Sequence, residues 1–185
     1  AILSHTRDVI FLDDGDMADL QAPQRLVDAA AAFGGLDALV SNAGFAIPGP
    51  LLTQNVDDWD RVFAVHVRAA WLLGRAAHPL LKAAGGSMVV TTSISGTNAT
   101  APLGAYSPSK AAALMLVRQM ALEWGPDGIR VNALSPGLTE TPGTAVVYAR
   151  PQARAQRESR IPLRRIAQAE DMANALSFLV GPDAG

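Results

Sequence analysis

Residues 87–110 read SMVVTTSISGTNATAPLGAYSPSK. A short, β-rich apolar run is followed by a loop of small and polar residues. Beyond it an Ala/Leu-rich stretch over 105–124 has apolar residues at helical spacing, with Pro108 where a helix tolerates its missing N–H, in the first turn. The same succession repeats outward in both directions. Apolar runs at 8–12 (DVIFL), 36–41 (LDALVS), 87–92 (SMVVTT) and 129–134 (IRVNAL) alternate with longer stretches near 20–33, 57–83, 105–124 and 169–180. Strand-like and helix-like segments in regular alternation predict an α/β fold, a parallel sheet covered by helices. The strand-like runs end in DDGD at 13–16, SNAG at 41–44, SISG at 93–96 and SPG at 135–137. Such carboxyl ends line one ligand crevice in this architecture.

Composition narrows the class further. With 185 residues, 49% hydrophobic and 17% charged, the chain has enough apolar material for one domain with a core, and we expect 1–185 to be a single, partial domain. A formal charge of −2 leaves no basic footprint for nucleic acid or anionic membrane. Without cysteine there is no disulfide or thiol chemistry, and no apolar run reaches the roughly 18 residues of a spanning helix. A cytoplasmic protein is expected. Residues 137–162, rich in Thr, Pro, Gly and Arg, are long for an ordinary connection and are expected to form a mobile flap over the crevice.

The chemistry concentrates on Tyr106 and Lys110, four apart and therefore on one helix face. A phenol is a poor base at neutral pH, and a neighbouring ammonium favours its phenolate by charge attraction. Ser93, at the end of the preceding strand-like run, can hydrogen-bond a carbonyl or alcohol oxygen. Proton transfer and substrate orientation are thereby provided for; a hydride acceptor must come from a cofactor. His5 and His78 have no partner at ligand spacing and no metal site is expected.

These residues resemble the short-chain dehydrogenases/reductases of the classical type. Asp16-Met-Ala-Asp19 is similar to the family's Asp-Val-x-Asp element, and Ser41-Asn-Ala-Gly44 to its Asn-Asn-Ala-Gly. Ser93, Tyr106 and Lys110 match its catalytic set, 131–137 with Thr139 and Thr141 looks like its Pro-Gly segment, and 161–165 with Glu170 and Asp171 resembles the region before its last strand. The resemblance implies a Rossmann-type, doubly wound parallel sheet in three α/β/α layers. It implies an NAD(P)-dependent oxidoreductase acting on a small alcohol or ketone. Tyr106 is then the general acid/base, Ser93 the orienting donor, and Lys110 the residue that lowers the tyrosine's pKa and holds the nicotinamide ribose. Asp16 and Met17 face adenine, Asn42, Ala43 and Gly44 the adenosine ribose, and Pro136, Gly137, Thr139 and Thr141 the nicotinamide end and pyrophosphate. The family's fourth catalytic position, an asparagine that helps hold a relay water, falls on His66, which is expected to keep that relay. A homodimer or homotetramer is implied as well, with the apolar 105–124 helix in its interface.

Nothing before Asp8 resembles the family's glycine-rich turn, and its final strand is not matched after Gly185, so we expect the sequence to be part of a longer protein. The segment that selects NAD or NADP is not matched either. Competing readings are a hydrolase using Ser93 with Lys110 as base, a binding scaffold that kept the fold, and a nonredox epimerase or dehydratase. Against the hydrolase, Ser93 lies in Thr91-Thr-Ser-Ile-Ser95 rather than a Gly-x-Ser-x-Gly elbow.

Overall fold

A computed structural model describes residues 22–185. The strand expected at 8–12 and the adenine-side candidates Asp16 and Met17 lie outside the described residues. Within them the order is α1 (Ala22–Ala32), β1 (Ala38–Ser41), α2 (Val56–Phe63), a π-helical turn (Ala64–Arg68), α3 (Ala69–Ala84), β2 (Ser87–Thr91), α4 (Tyr106–Trp124), β3 (Arg130–Leu134), β4 (Thr139–Glu140), α5 (Ala145–Tyr148), α6 (Pro151–Glu158), β5 (Ala167–Gln168) and α7 (Ala169–Val180). The expected strands at 36–41, 87–92 and 129–134 and all four helical stretches are present to within a few residues.

β1, β2 and β3 are hydrogen-bonded in that order and all parallel, with Val40 beside Val89 and Thr91 beside Leu134. Met88 and Val90 point to one face, where Val27 of α1, Leu73, Ala77 and Leu81 of α3, and Val117 and Met120 of α4 bury them. Ser87 and Val89 alternate to the other face. There the Ser87 hydroxyl donates to the Val180 carbonyl at the end of α7, and Val89 is fully buried. Helices on both faces of a parallel sheet give the three α/β/α layers of a Rossmann-type fold. Arg130 fastens the second layer, its guanidinium donating to the carbonyls of Leu179 and Val180 in the last turn of α7 and of Gly181 and Ala184 beyond it, where cations are favoured.

Local chemistry sets the element ends. The Asn55 side chain accepts the Asp57 N–H at 2.7 Å and caps α2, whose first turn carries Asp57 and Asp58. Where the sequence predicts one helix over 57–83, the structure has α2 and α3 joined by the π turn, with the Ala69 N–H bonded to the Ala64 carbonyl five residues back. One extra residue in a helical turn changes which side chains face inward, and such turns mark functional sites.

Segment 137–162 departs from its expected irregularity. It holds α5 and α6, and β4 pairs in parallel with β5. Pro151 suits the first turn of α6. Arg154 then closes the segment on itself, donating through both terminal nitrogens to Glu140 and through Nε to Glu158 four residues on. The bidentate pair is a tertiary contact that residue composition does not display.

Candidate active site

Parallel pairing places the loops after β1, β2 and β3 at one sheet edge, and hydrogen bonds knit them there. The Ile94 N–H donates to the Pro136 carbonyl at 3.0 Å and the Thr92 N–H to Leu134 O at 2.7 Å. Ser93 has extended backbone at the start of a single turn, Ile94–Gly96, and its hydroxyl oxygen accepts the Ser95 N–H at 3.1 Å. This leaves its own proton available to a ligand. Gly96 lies against the Lys110 backbone, where a Cβ would come within 2.9 Å of the carbonyl carbon, so the Ser93 turn packs directly on α4.

Tyr106 opens α4 and Lys110 follows one turn later, so both are on the same face. The Lys110 ammonium lies 5.7 Å from the Tyr106 ring centroid and donates to the Thr91 carbonyl at 2.9 Å. Only 4% of Lys110 is exposed, and burial pushes its pKa down to about 8. An ammonium has three donors, and a single one is used here. No hydrogen bond joins Lys110 to Ser93 among the described residues, so the serine–lysine pair a hydrolase requires is not formed.

His66 is 3% exposed and sits in the π turn, its ring edge-on to Tyr106 with centroids 5.4 Å apart. Its Nε2 accepts the Phe45 N–H at 3.2 Å, and its Nδ1 lies 2.8 Å from the Ser109 hydroxyl. Burial, reinforced by the Lys110 charge, lowers its pKa to about 3, so the ring is neutral. Gly44 passes so close that a Cβ would lie 2.9 Å from His66 Nε2 and 3.3 Å from Lys110 Nζ. Gly44 thus lies beside the same cluster, while Ala43 before it packs against the hydrophobic core. Pro136 accepts from Ile94, as above, while Gly137 accepts from the Thr139 hydroxyl. Thr139 and Thr141 are tied to Thr144, whose hydroxyl donates to Thr139 O and receives the Thr141 N–H. No group of three or more potential metal ligands occurs among the described residues.

Sequence reasoning missed Gln54, Ser109 and the Thr91 carbonyl. Gln54 caps α4 from a distance: the helix has no capping side chain of its own, and Gln54 Oε1 accepts the Ala105 N–H at 2.7 Å. It lies 51 residues away, beyond any local capping signal. Gly104 has φ +52°, a conformation that favours glycine, and a Cβ there would meet the Gln54 carboxamide at 2.4 Å and displace it from the N–H it caps. Removing an acceptor from a buried N–H costs about 1–3 kcal/mol. We expect Gln54→Ala to lower Tm by several degrees and to reduce kcat through a loosened Tyr106 turn; thermal melts and steady-state rates check both.

The family model described as enoyl-(acyl carrier protein) reductase matches residues 6–185. The chain belongs to the short-chain dehydrogenase/reductase family. This family member is 40% identical to an uncharacterized oxidoreductase of Mycobacterium tuberculosis over 165 residues, covering 85% of this chain and 61% of that protein. It is 40% identical to a cis-4-hydroxycyclohexanecarboxylate dehydrogenase of Sinomonas cyclohexanicum over 167 residues, covering 89% and 66% respectively. The chain therefore spans less than two thirds of the length of these curated relatives. A crystal structure of a short-chain dehydrogenase from Burkholderia cenocepacia in complex with NADP superposes with a TM-score of 0.82 at 38% identity, covering 91% of this chain and 68% of that one.

Proposed function

We propose that this dehydrogenase/reductase family member is an oxidoreductase that moves a hydride between NAD or NADP and a small alcohol or ketone. The observation that carries the reading is the buried Lys110 ammonium beside the Tyr106 ring, next to the Ser93 turn. A relative named a cis-4-hydroxycyclohexanecarboxylate dehydrogenase and a structural neighbour in complex with NADP support the substrate and cofactor classes.

The residues present fit a nicotinamide nucleotide. Lys110 keeps two unused donors, which suit the paired hydroxyls of a ribose, and the absence of a side chain at Gly44 lets that loop pack directly against His66 and Lys110. Asn42, Ala43, Pro136, Gly137, Thr139 and Thr141 complete the proposed contacts, together with Asp16 and Met17 from the sequence. When bound, the nicotinamide supplies or accepts the hydride. The chain's own residues do the rest. The Ser93 hydroxyl donates a hydrogen bond to the substrate oxygen, keeping its own proton, and fixes that oxygen's position. Tyr106 gives the proton to that oxygen in reduction and removes it in oxidation. The Lys110 charge favours the phenolate left after proton donation.

A homodimer or homotetramer is part of this proposal. It is supported by an apolar groove of about 450 Å³ between the π turn, α3 and α4, lined by Phe63, Val67, Trp71 and Leu116, and by exposed Met115 and Leu122 on α4. No helix among the described residues is long and apolar enough to cross a membrane, and a cytoplasmic setting is proposed with it.

Fluorescence titration of the full-length protein with NADH and NADPH, followed by rate assays on secondary alcohols and ketones, tests the reading. Saturable change with at least one cofactor and turnover of at least one alcohol or ketone are expected. No response to either cofactor would overturn it in favour of a scaffold.

A further inference from the structure

The hydrogen bonds of His66 point beyond a water-holding role. Its Nε2 receives the Phe45 N–H, so that nitrogen must present a lone pair. Independently, the single proton of the Ser109 hydroxyl is committed to the Tyr106 carbonyl at 2.7 Å, so toward His66 the serine can only accept. Both constraints demand the same tautomer, with the proton on Nδ1. A chain of donors then runs Phe45 N–H to Nε2, Nδ1–H to Ser109 Oγ, and Ser109 O–H to Tyr106 O. Neither ring nitrogen is left over for a relay water. Ser109 is fully buried and His66 nearly so, which leaves no bulk solvent to replace a lost partner.

We propose that His66 and Ser109 form a neutral bracket that ties the backbone just after Asn42-Ala-Gly44 to the first turn of α4, making Ser109 a positioning residue for Tyr106. The bracket joins the loop beside the nucleotide to the turn that bears the phenol. His66 lies within the π turn, which is where its ring meets both Phe45 and Ser109. The charged and titratable groups near the ring are Lys110 and Tyr106, with Arg61 stacked beyond Phe45. A charged imidazole would place a second cation beside Lys110 and lose the Phe45 bond.

Two readouts test it on the full-length protein. In nitrogen-15 spectra of the histidines, His66 is expected with Nδ1 protonated and Nε2 bare, unchanged from about pH 5 to about pH 8, a range in which an ordinary histidine titrates. A proton on Nε2, or titration in that range, would overturn the bracket whatever the protein catalyses. Ser109→Ala is expected to abolish the fixed tautomer and to lower kcat about tenfold, since small misplacements of reacting groups carry costs of up to ~100-fold. Cofactor affinity should stay within about twofold, because Lys110 and the crevice loops are untouched. An unchanged kcat would refute the positioning role. The kinetic readout rests on the oxidoreductase reading, whereas the spectra do not: cofactor titration failing while the tautomer holds would sink the function and leave the bracket standing.

Discussion

Tyr106→Phe is expected to lower turnover by ~10²-fold to ~10⁴-fold, the range that a positioned general acid/base contributes. The substitution removes one oxygen. No hydrogen bond to the Tyr106 hydroxyl exists among the described residues, while the ring keeps its edge contact with His66 and its place beside Lys110. Folding stability should therefore be nearly unchanged, and cofactor titration should give the same dissociation constant within about twofold. The expected pattern is a collapse of kcat with melting temperature and cofactor binding retained. Activity within a few-fold of the parent protein would remove Tyr106 from the chemistry. Loss of cofactor binding along with activity would show instead that the phenol holds the nucleotide.

The second large effect belongs to Lys110. Lys110→Met keeps length and packing but deletes the charge, the bond to Thr91 and the two spare donors. We expect kcat/KM to fall ~10²-fold or more, with cofactor affinity weakened too, unlike in the tyrosine variant. The pH dependence gives a separate signature. Burial sets the folded pKa at about 8, below the ordinary lysine value, so the unfolded chain binds this proton more tightly than the folded one. Stability should then rise with pH as it climbs from about 8 toward the unfolded lysine value near 10.5, by an amount on the order of 3 kcal/mol. Below about pH 8 the cost of burying the ammonium is fully present. Lys110→Met lacks this proton and its denaturation midpoint should lose that rise. Reduction of a ketone in the parent protein should also decline above about pH 8, as the ammonium that supports the phenolate disappears. Equal pH slopes in the two proteins would contradict the assignment.

Legibility differed by range of interaction. The pairing of Tyr106 with Lys110 was readable because helical geometry makes four residues a fixed spatial interval, and Pro108 marked where that helix starts. Segment 137–162 misled for the opposite reason: its Pro, Gly and Thr content reads as irregular, and the Arg154–Glu140 pair that closes it spans 14 residues with no periodicity to announce it. Gln54 and Ser109 were invisible on similar grounds, since an amide 51 residues from the N–H it caps and a serine 43 residues from its histidine carry no local signature.

By itself the sequence determined the alternation of strands and helices, hence a parallel α/β sheet with its loops gathered at one edge, and the placement of Tyr106 and Lys110 on one helix face. These follow from hydrophobic periodicity and local backbone rules, which act within a few residues. Only the tertiary structure brought His66 between the Phe45 N–H and the Ser109 hydroxyl and buried it beside Lys110, the arrangement from which the Nδ1 tautomer and the bracing of Tyr106 are proposed. Tautomer and protonation are fixed by burial and by partners brought from distant segments, and those exist only once the chain has folded.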